Sequence, residues 1–193
     1  MPSPIAHVAV GYAIYRLYQP HAPKPLLQKI GFVPGLLLLT AGLSLLPDLD
    51  AIPGILFGHF GRFHNNISHS FIIGVLVAVG IGGAAAIRQR RNFWPWFLVT
   101  LLCYEFHVLM DLYTVGGRGV LAFWPLYPER LDPAPKLFFG LRWSEGLISA
   151  QHLWTLSSEL IFALLVGLAT QLIVKRKGAH QQPGSSQQMS QNI

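Results

Sequence analysis

Apolar residues run along this chain in long blocks, and charged residues gather where the blocks end. Ser3-Pro4 opens the first block as a helix start, a hydroxyl N-cap followed by proline at the first helical position. That helix is expected to reach Tyr18, where Gln19-Pro20 ends it. At about 15 residues it falls short of the roughly 20 that cross a bilayer, so it reads as tilted or partly inserted. A Pro-rich connector with Lys24 and Lys29 covers 19–31. Phe32 to Leu49 forms the next apolar block and ends at Pro47 with two aspartates. Residues 51–68 read as a loop rich in glycine and aromatics, and Ser68 is the expected cap of a helix from His69 to about Ile87.

Arg88, Arg90 and Arg91 stop that helix, and its Gly74, Gly80, Gly82 and Gly83 suggest close packing inside a bilayer. Phe93 to Tyr113 is the next span, anchored at the interface by Trp94-Pro95-Trp96. Residues 114–151 are rich in Gly, Pro and aromatics and carry no expected helix; they are expected to pack on the bundle or dip into the interface. The last span runs from His152 to about Val174 and ends at Lys175-Arg176-Lys177. A Gln/Ser-rich tail follows and is expected to be disordered. The pattern predicts an all-α integral membrane helical bundle of about four long transmembrane helices plus a short N-terminal helix. It places one membrane domain at 1–177 and a polar tail at 178–193.

Composition agrees. The chain of 193 residues is 52% hydrophobic and 11% charged, with a mean hydropathy of +0.44. Soluble proteins carry about 25% charged residues, so a water-facing exterior is excluded. The net charge of +6 does not point to nucleic acid, because Lys and Arg sit at the ends of apolar runs and form no basic face interleaved with aromatics. The single Cys103 excludes an intramolecular disulfide and any CxxC metal site. The N-terminus has no basic n-region and no clear A-x-A motif, so no cleaved signal peptide is expected.

Segments 16–31, 88–92 and 175–193 hold nine of the fourteen Lys and Arg and no acidic residue. The positive-inside rule puts them, and the C-terminus, in the cytoplasm. Alternation then brings His7, Asp48, Asp50, His64, His69, His107, Asp111 and His152 to the outer face. Carboxylate and imidazole together are the usual donors for zinc, manganese or iron. His107 and Asp111, four apart, share one helix face. Asp48 and Asp50, two apart in an expected extended segment, point the same way. His64 on the loop and His69 on the next helix can converge. For each pair a plainer role, a core histidine or a polar helix stop, stays open. His59 and His152 are weaker candidates, and His21 and His180 fall on the other side. Glu105 and Glu159 lie inside spans and read as hydrogen-bonded structural groups.

Taken in order, His7, Pro47-Asp48-Leu49-Asp50, His64-Asn65-Asn66-Ile67-Ser68-His69-Ser70 and His107-Val108-Leu109-Met110-Asp111, with Thr114, Gly117 and Trp124-Pro125, resemble a known family. It is the membrane-bound metal-dependent hydrolases, which include a LexA-regulated bacterial inner-membrane protein. The resemblance implies that His7, Asp48, Asp50, His64, His69, His107 and Asp111 are metal ligands. Asn65 stands where the family has Arg, and Ser68 where it has Thr. Seven ligands suit two divalent ions, zinc first, with manganese or iron as alternatives. Asp50, His59 and Ser68 are the candidate catalytic groups; Asn65, Trp124, Phe138 and Trp143 are the candidate substrate contacts. The implied protein is a multi-pass inner-membrane hydrolase acting on an ester or phosphoester of a lipid-like or interfacial molecule, with membrane lipid as its partner. The alternative is an ion or proton transporter, or a structural metal site.

Overall fold

The computed structural model describes residues 3–22, 27–31, 33–59, 62–89, 93–115, 118–140 and 150–180. Helix α1 (Pro4–Tyr18) begins as its sequence dictates, with the Ser3 hydroxyl accepting a hydrogen bond from the Ile5 amide at 3.3 Å. Two short strands, β1 (Lys29–Ile30) and β2 (Val33–Pro34), pair antiparallel around Gly31, whose φ of 62° suits glycine. They lead into α2 (Gly35–Leu45).

The apolar block expected to run unbroken to Leu49 is broken. After α2 a 3-10 turn, Pro47–Ala51, carries both aspartates, and α3 (Ile52–Leu56) follows. The two parts meet at 49°. Pro47 has no amide hydrogen and its ring crowds the carbonyl four residues back, so the α2 ladder cannot pass it. The break turns the aspartates out of the helix line and back towards the bundle.

Helix α4 (Phe71–Gln89) starts later than the sequence suggested. Its cap is Ser70, whose hydroxyl accepts from the Ile72 amide at 3.2 Å, and not Ser68. After α5 (Phe93–Leu112), strand β3 (Thr114–Val115) pairs parallel with β4 (Phe138–Phe139), and a bridge joins Val120 to Leu131. Helix α6 (Gln151–His180) continues through Lys175-Arg176-Lys177. Lys and Arg are good helix formers, so that basic run marks a change of surroundings without ending the helix. Residues 141–149, with Trp143, and the tail from 181 lie outside the described residues, as does Gly117.

Three helices are long and apolar enough to cross a membrane, Phe71–Arg88, Phe93–Leu112 and His152–Lys177, and the bent pair raises the number to as many as four. The all-α membrane bundle is therefore what the chain forms. Leu160, Ile161, Leu164, Leu165, Leu168 and Leu172 of α6 are all more than half exposed, a surface suited to lipid.

Helix α1 is short but not peripheral. It packs on α2, α5 and α6. A β-carbon on Gly11 would lie 2.8 Å from Ser44 Oγ and 2.9 Å from the Thr40 carbonyl oxygen, so glycine sets the approach of α1 to α2. Gly11→Val is expected to lower unfolding stability by about 1–3 kcal/mol through overpacking, read as a lower melting temperature in detergent. At one end of the bundle the Tyr18 hydroxyl donates to the Pro95 carbonyl at 2.7 Å. At the other, the Ser3 amide and hydroxyl both donate to Glu159 of α6. Glu159 is thus the hydrogen-bonded structural group expected of it. Glu105 is not: both of its carboxylate oxygens are buried without a hydrogen-bond partner.

Candidate metal centre

The Ser3–Glu159 end of the bundle gathers the polar side chains. His7 lies one turn into α1, Asp48 and Asp50 on the turn after α2, and His69 on a 3-10 turn (Ile67–His69) just before α4. His107 and Asp111 project from the last two turns of α5, one helical turn apart as their spacing requires. His64 comes from the loop between α3 and α4. Asn65 follows it with φ 59°, a left-handed conformation that asparagine tolerates.

That loop is clamped by a residue no motif marked. Arg130 Nη1 donates to the Asn65 carbonyl at 2.7 Å and the Gly119 carbonyl at 3.0 Å, while Nη2 donates to Asn66 Oδ1 at 3.0 Å. Only the tertiary fold brings Arg130 to this loop, so sequence spacing carried no signal of it. Tyr104 adds a second brace, its hydroxyl donating to the Ser68 carbonyl at 2.6 Å.

The two aspartates do not point the same way, because they sit on a 3-10 turn and not in an extended segment. They bracket the His69 ring instead. Asp48 Oδ1 lies 3.5 Å from His69 Nε2, and Asp50 Oδ2 lies 3.2 Å from His69 Nδ1. Asp50 also accepts from His64 Nδ1 at 2.9 Å, from the Ser68 hydroxyl at 2.6 Å and from the Asn66 amide at 3.2 Å. Both of its oxygens are engaged, and both histidines turn their Nε2 atoms inward. His107 is fixed in the same manner: its Nδ1 donates to the Ser44 carbonyl at 2.7 Å, which leaves Nε2 as a lone-pair donor. His7 stacks on the His107 ring at 3.8 Å.

The inner contacts are too long for good hydrogen bonds. His107 Nε2 stands 3.2 Å from His69 Nε2 and 3.4 Å from Asp48 Oδ1. Asp111 Oδ2 lies 3.1 Å from His69 Nε2 and 3.6 Å from His64 Nε2, and its Oδ1 lies 3.4 Å from His7 Nε2. Ligands about 2.0–2.1 Å from a tetrahedral zinc stand roughly 3.3 Å from one another, which is the spacing seen here. Buried polar atoms normally have partners. Yet both oxygens of Asp48 and of Asp111, His64 Nε2 and both ring nitrogens of His7 have none. A divalent cation supplies what these atoms lack, so the residues fit a metal. Two donor groups stand out, Asp48-His69-His107-Asp111 and Asp50-His64-His69.

Other expected site residues fall elsewhere. His59 is exposed and belongs to neither donor group, because its place just past α3 turns it away from the cluster. His152 and the exposed His21 also lie outside both groups. Ser68 meets the site through Asp50. Asn65 is buried, and its main-chain carbonyl receives Arg130. The Trp124 carbonyl accepts from Ser70 Oγ at 2.7 Å, which ties it to the start of α4. Phe138 packs edge-on against Phe162 at 5.0 Å.

The profile of the YdjM inner membrane protein family matches residues 1–180. The chain belongs to that family. It is also 33% identical over 122 residues to inner membrane protein YbcI of Escherichia coli (strain K12), a match covering 57% of this chain and 68% of that protein. No solved structure matches it. Family and apolar helices together make this YdjM-family chain a multi-pass inner membrane protein. The resemblance read from its motifs therefore holds at the level of an inner membrane protein family.

Electrostatics in this YdjM-family protein set up a competition between protons and metal. Burial opposes charge on His69, but Asp111, Asp48 and Asp50 outweigh it and raise its pKa well above the ordinary histidine value. His64 is raised in the same way by Asp111 and Asp50 against the cost of burial. A raised folded-state pKa stabilises the fold fully below the unfolded value near 6.5, and that stability is lost as pH rises through the folded value. The metal-free protein is therefore expected to melt at lower temperature as pH rises above about 6.5. Metal-loaded protein should show the opposite trend, since the ion needs neutral imidazoles. Melting curves in EDTA and in zinc across pH 6–9 check both signs.

Proposed function

We propose that this protein is a metal-dependent hydrolase that cleaves an ester or phosphoester of a lipid-like or interfacial substrate. The observation that supports this reading is a convergence: five side chains from four helix ends and loops present seven buried donor atoms with no hydrogen-bond partner. His69, His107 and Asp48 surround one position. His7 and His64 approach Asp111 from its other sides, so Asp111 is suited to serve a second ion as well. A bound pair of divalent ions, zinc first and manganese or iron next, supplies Lewis acidity and lowers the pKa of water.

The protein's own groups would do the rest. Asp50 fixes the Nδ1 hydrogens of His64 and His69, with Ser68 holding Asp50 in turn. Asp48 and Asp50 keep 13% and 14% of their side chains exposed, while the histidines and Asp111 keep 5% or less. Water and substrate therefore reach the cluster on the aspartate side, where Asp48 is placed to take up a proton. We place this end of the bundle at the outer face of the inner membrane, with the C-terminus in the cytoplasm, on the distribution of basic residues.

The test is a screen of chromogenic esters, phosphomonoesters and phosphodiesters in mixed micelles with metal-loaded protein. Metal-dependent turnover that His107→Ala reduces by at least about 100-fold is expected, in line with loss of a direct ligand and beyond the 10–100-fold typical of outer-shell changes. Loaded protein that turns over no member of the panel would favour a second reading, an ion site in a transporter. Unpartnered Glu105 inside α5 favours that reading, since an intramembrane carboxylate commonly marks an ion path.

A further inference from the structure

An apolar cavity of about 460 Å³ lies between α1, α5, α6 and β4. Val10 of α1 lines it, three residues beyond His7 and so one turn further along the same side of that helix. Met110 and Tyr113 line it from α5, on either side of Asp111 in sequence. The cavity thus begins within about one helical turn of the donor cluster. It continues along α1 to Leu17, seven residues past Val10, or about 10 Å at 1.5 Å per residue. Phe138 and Phe162 form its opposite wall, and among its lining side chains only Tyr113 carries a hydroxyl.

A cavity so lined does not hold water. Its walls belong to helices placed in the membrane, where hydrocarbon is the available filling. A second cavity, of about 490 Å³, is lined by α1 and α6 residues such as Pro4, Tyr12 and Gly167, and α5 contributes nothing to it. Only the first adjoins the helix that carries His107 and Asp111.

We propose that the α1–α5–α6 cavity receives one hydrocarbon chain of a membrane lipid whose ester or phosphoester group lies on the His/Asp cluster. This rests on the hydrolase reading of that cluster and adds the place of the tail. A depth of about 10 Å is roughly a third of a hydrocarbon core about 30 Å thick. The cavity therefore shelters the first part of a chain, next to the bond to be cleaved.

The experiment uses the full metal-loaded chain in nanodiscs containing a phospholipid with a diazirine near the carboxyl end of one acyl chain. Photolabelled peptides are mapped by mass spectrometry in the parent, in Ala13→Phe and in Val166→Phe, which fill the cavity from α1 and α6. Labelling is expected in the peptides bearing Val10–Leu17 and Phe106–Tyr113. It should fall at least about tenfold in whichever filled variant retains its metal, as displacement of even two buried methylenes requires. Labelling of the lipid-facing α6 leucines should not change. Label confined to those leucines, or label in the cavity that neither substitution reduces, overturns the proposal. Hydrolysis without cavity labelling overturns the chain site and leaves the hydrolase reading standing. Cavity labelling that the substitutions suppress, in a protein that hydrolyses nothing, supports the chain site and removes the hydrolase reading.

Discussion

The Asp111→Asn variant is expected to lose the stabilisation that zinc confers on the parent. Asp111 is buried between His7, His64 and His69, at 3.4, 3.6 and 3.1 Å. Neither of its oxygens has a hydrogen-bond partner. Asparagine keeps the shape, removes the charge and aims amide hydrogens at nitrogen lone pairs. A ligand at about 100 times its dissociation constant stabilises a fold by about 2.7 kcal/mol. For a chain of this size that is a shift of about 5–10 °C in melting temperature. Thermal melts with and without zinc should show this shift in the parent and none in Asp111→Asn. An equal shift in both would place the metal away from Asp111. The metal-free melts of the two proteins serve as the control for folding.

Asp50→Asn is expected to weaken metal affinity by about 10–100-fold without changing the number of ions bound at saturation. The carboxylate accepts from His64 Nδ1 and lies against His69 Nδ1, so it sets both tautomers. An amide there can turn its hydrogens towards those nitrogens, which moves the ring hydrogens to Nε2, the atoms that face Asp111. Titration with zinc under chelator competition reads the change. Loss of one equivalent at saturation would instead make Asp50 a ligand of its own, as the Asp50-His64-His69 group allows.

Local rules made much of this molecule legible. Ser3-Pro4 starts a helix because a hydroxyl cap and a proline suit its first turn whatever the rest of the chain does. His107 and Asp111 face one way because a helix repeats every 3.6 residues. Seven site residues came to one end of the bundle because alternating spans leave little choice. What stayed hidden depends on contacts between distant segments. Ser68 and Ser70 are equally good caps by composition, and the engagement of Ser68 with Asp50 decides between them. Arg130 holds carbonyls more than sixty residues away, a role with no sequence spacing to reveal it. His59 lies between two ligand-bearing segments, yet the turn after α3 leaves it exposed.

Asp48 and Asp50 fall between these cases. Their residue type and place were legible, but the geometry was not. An extended pair would have faced one ion together; the 3-10 turn divides them across the two nitrogens of His69. The division separates a carboxylate with free oxygens from one whose oxygens are taken. The roles proposed for the two residues follow from it.

The central claim is that this cluster binds divalent metal, and the most direct measurement is the metal content of detergent-purified protein by elemental mass spectrometry. Two equivalents of zinc, manganese or iron per chain are predicted, with both lost in a His69→Ala variant that remains helical. A folded parent that holds no metal after purification, and takes up none on dialysis against zinc, would contradict the account.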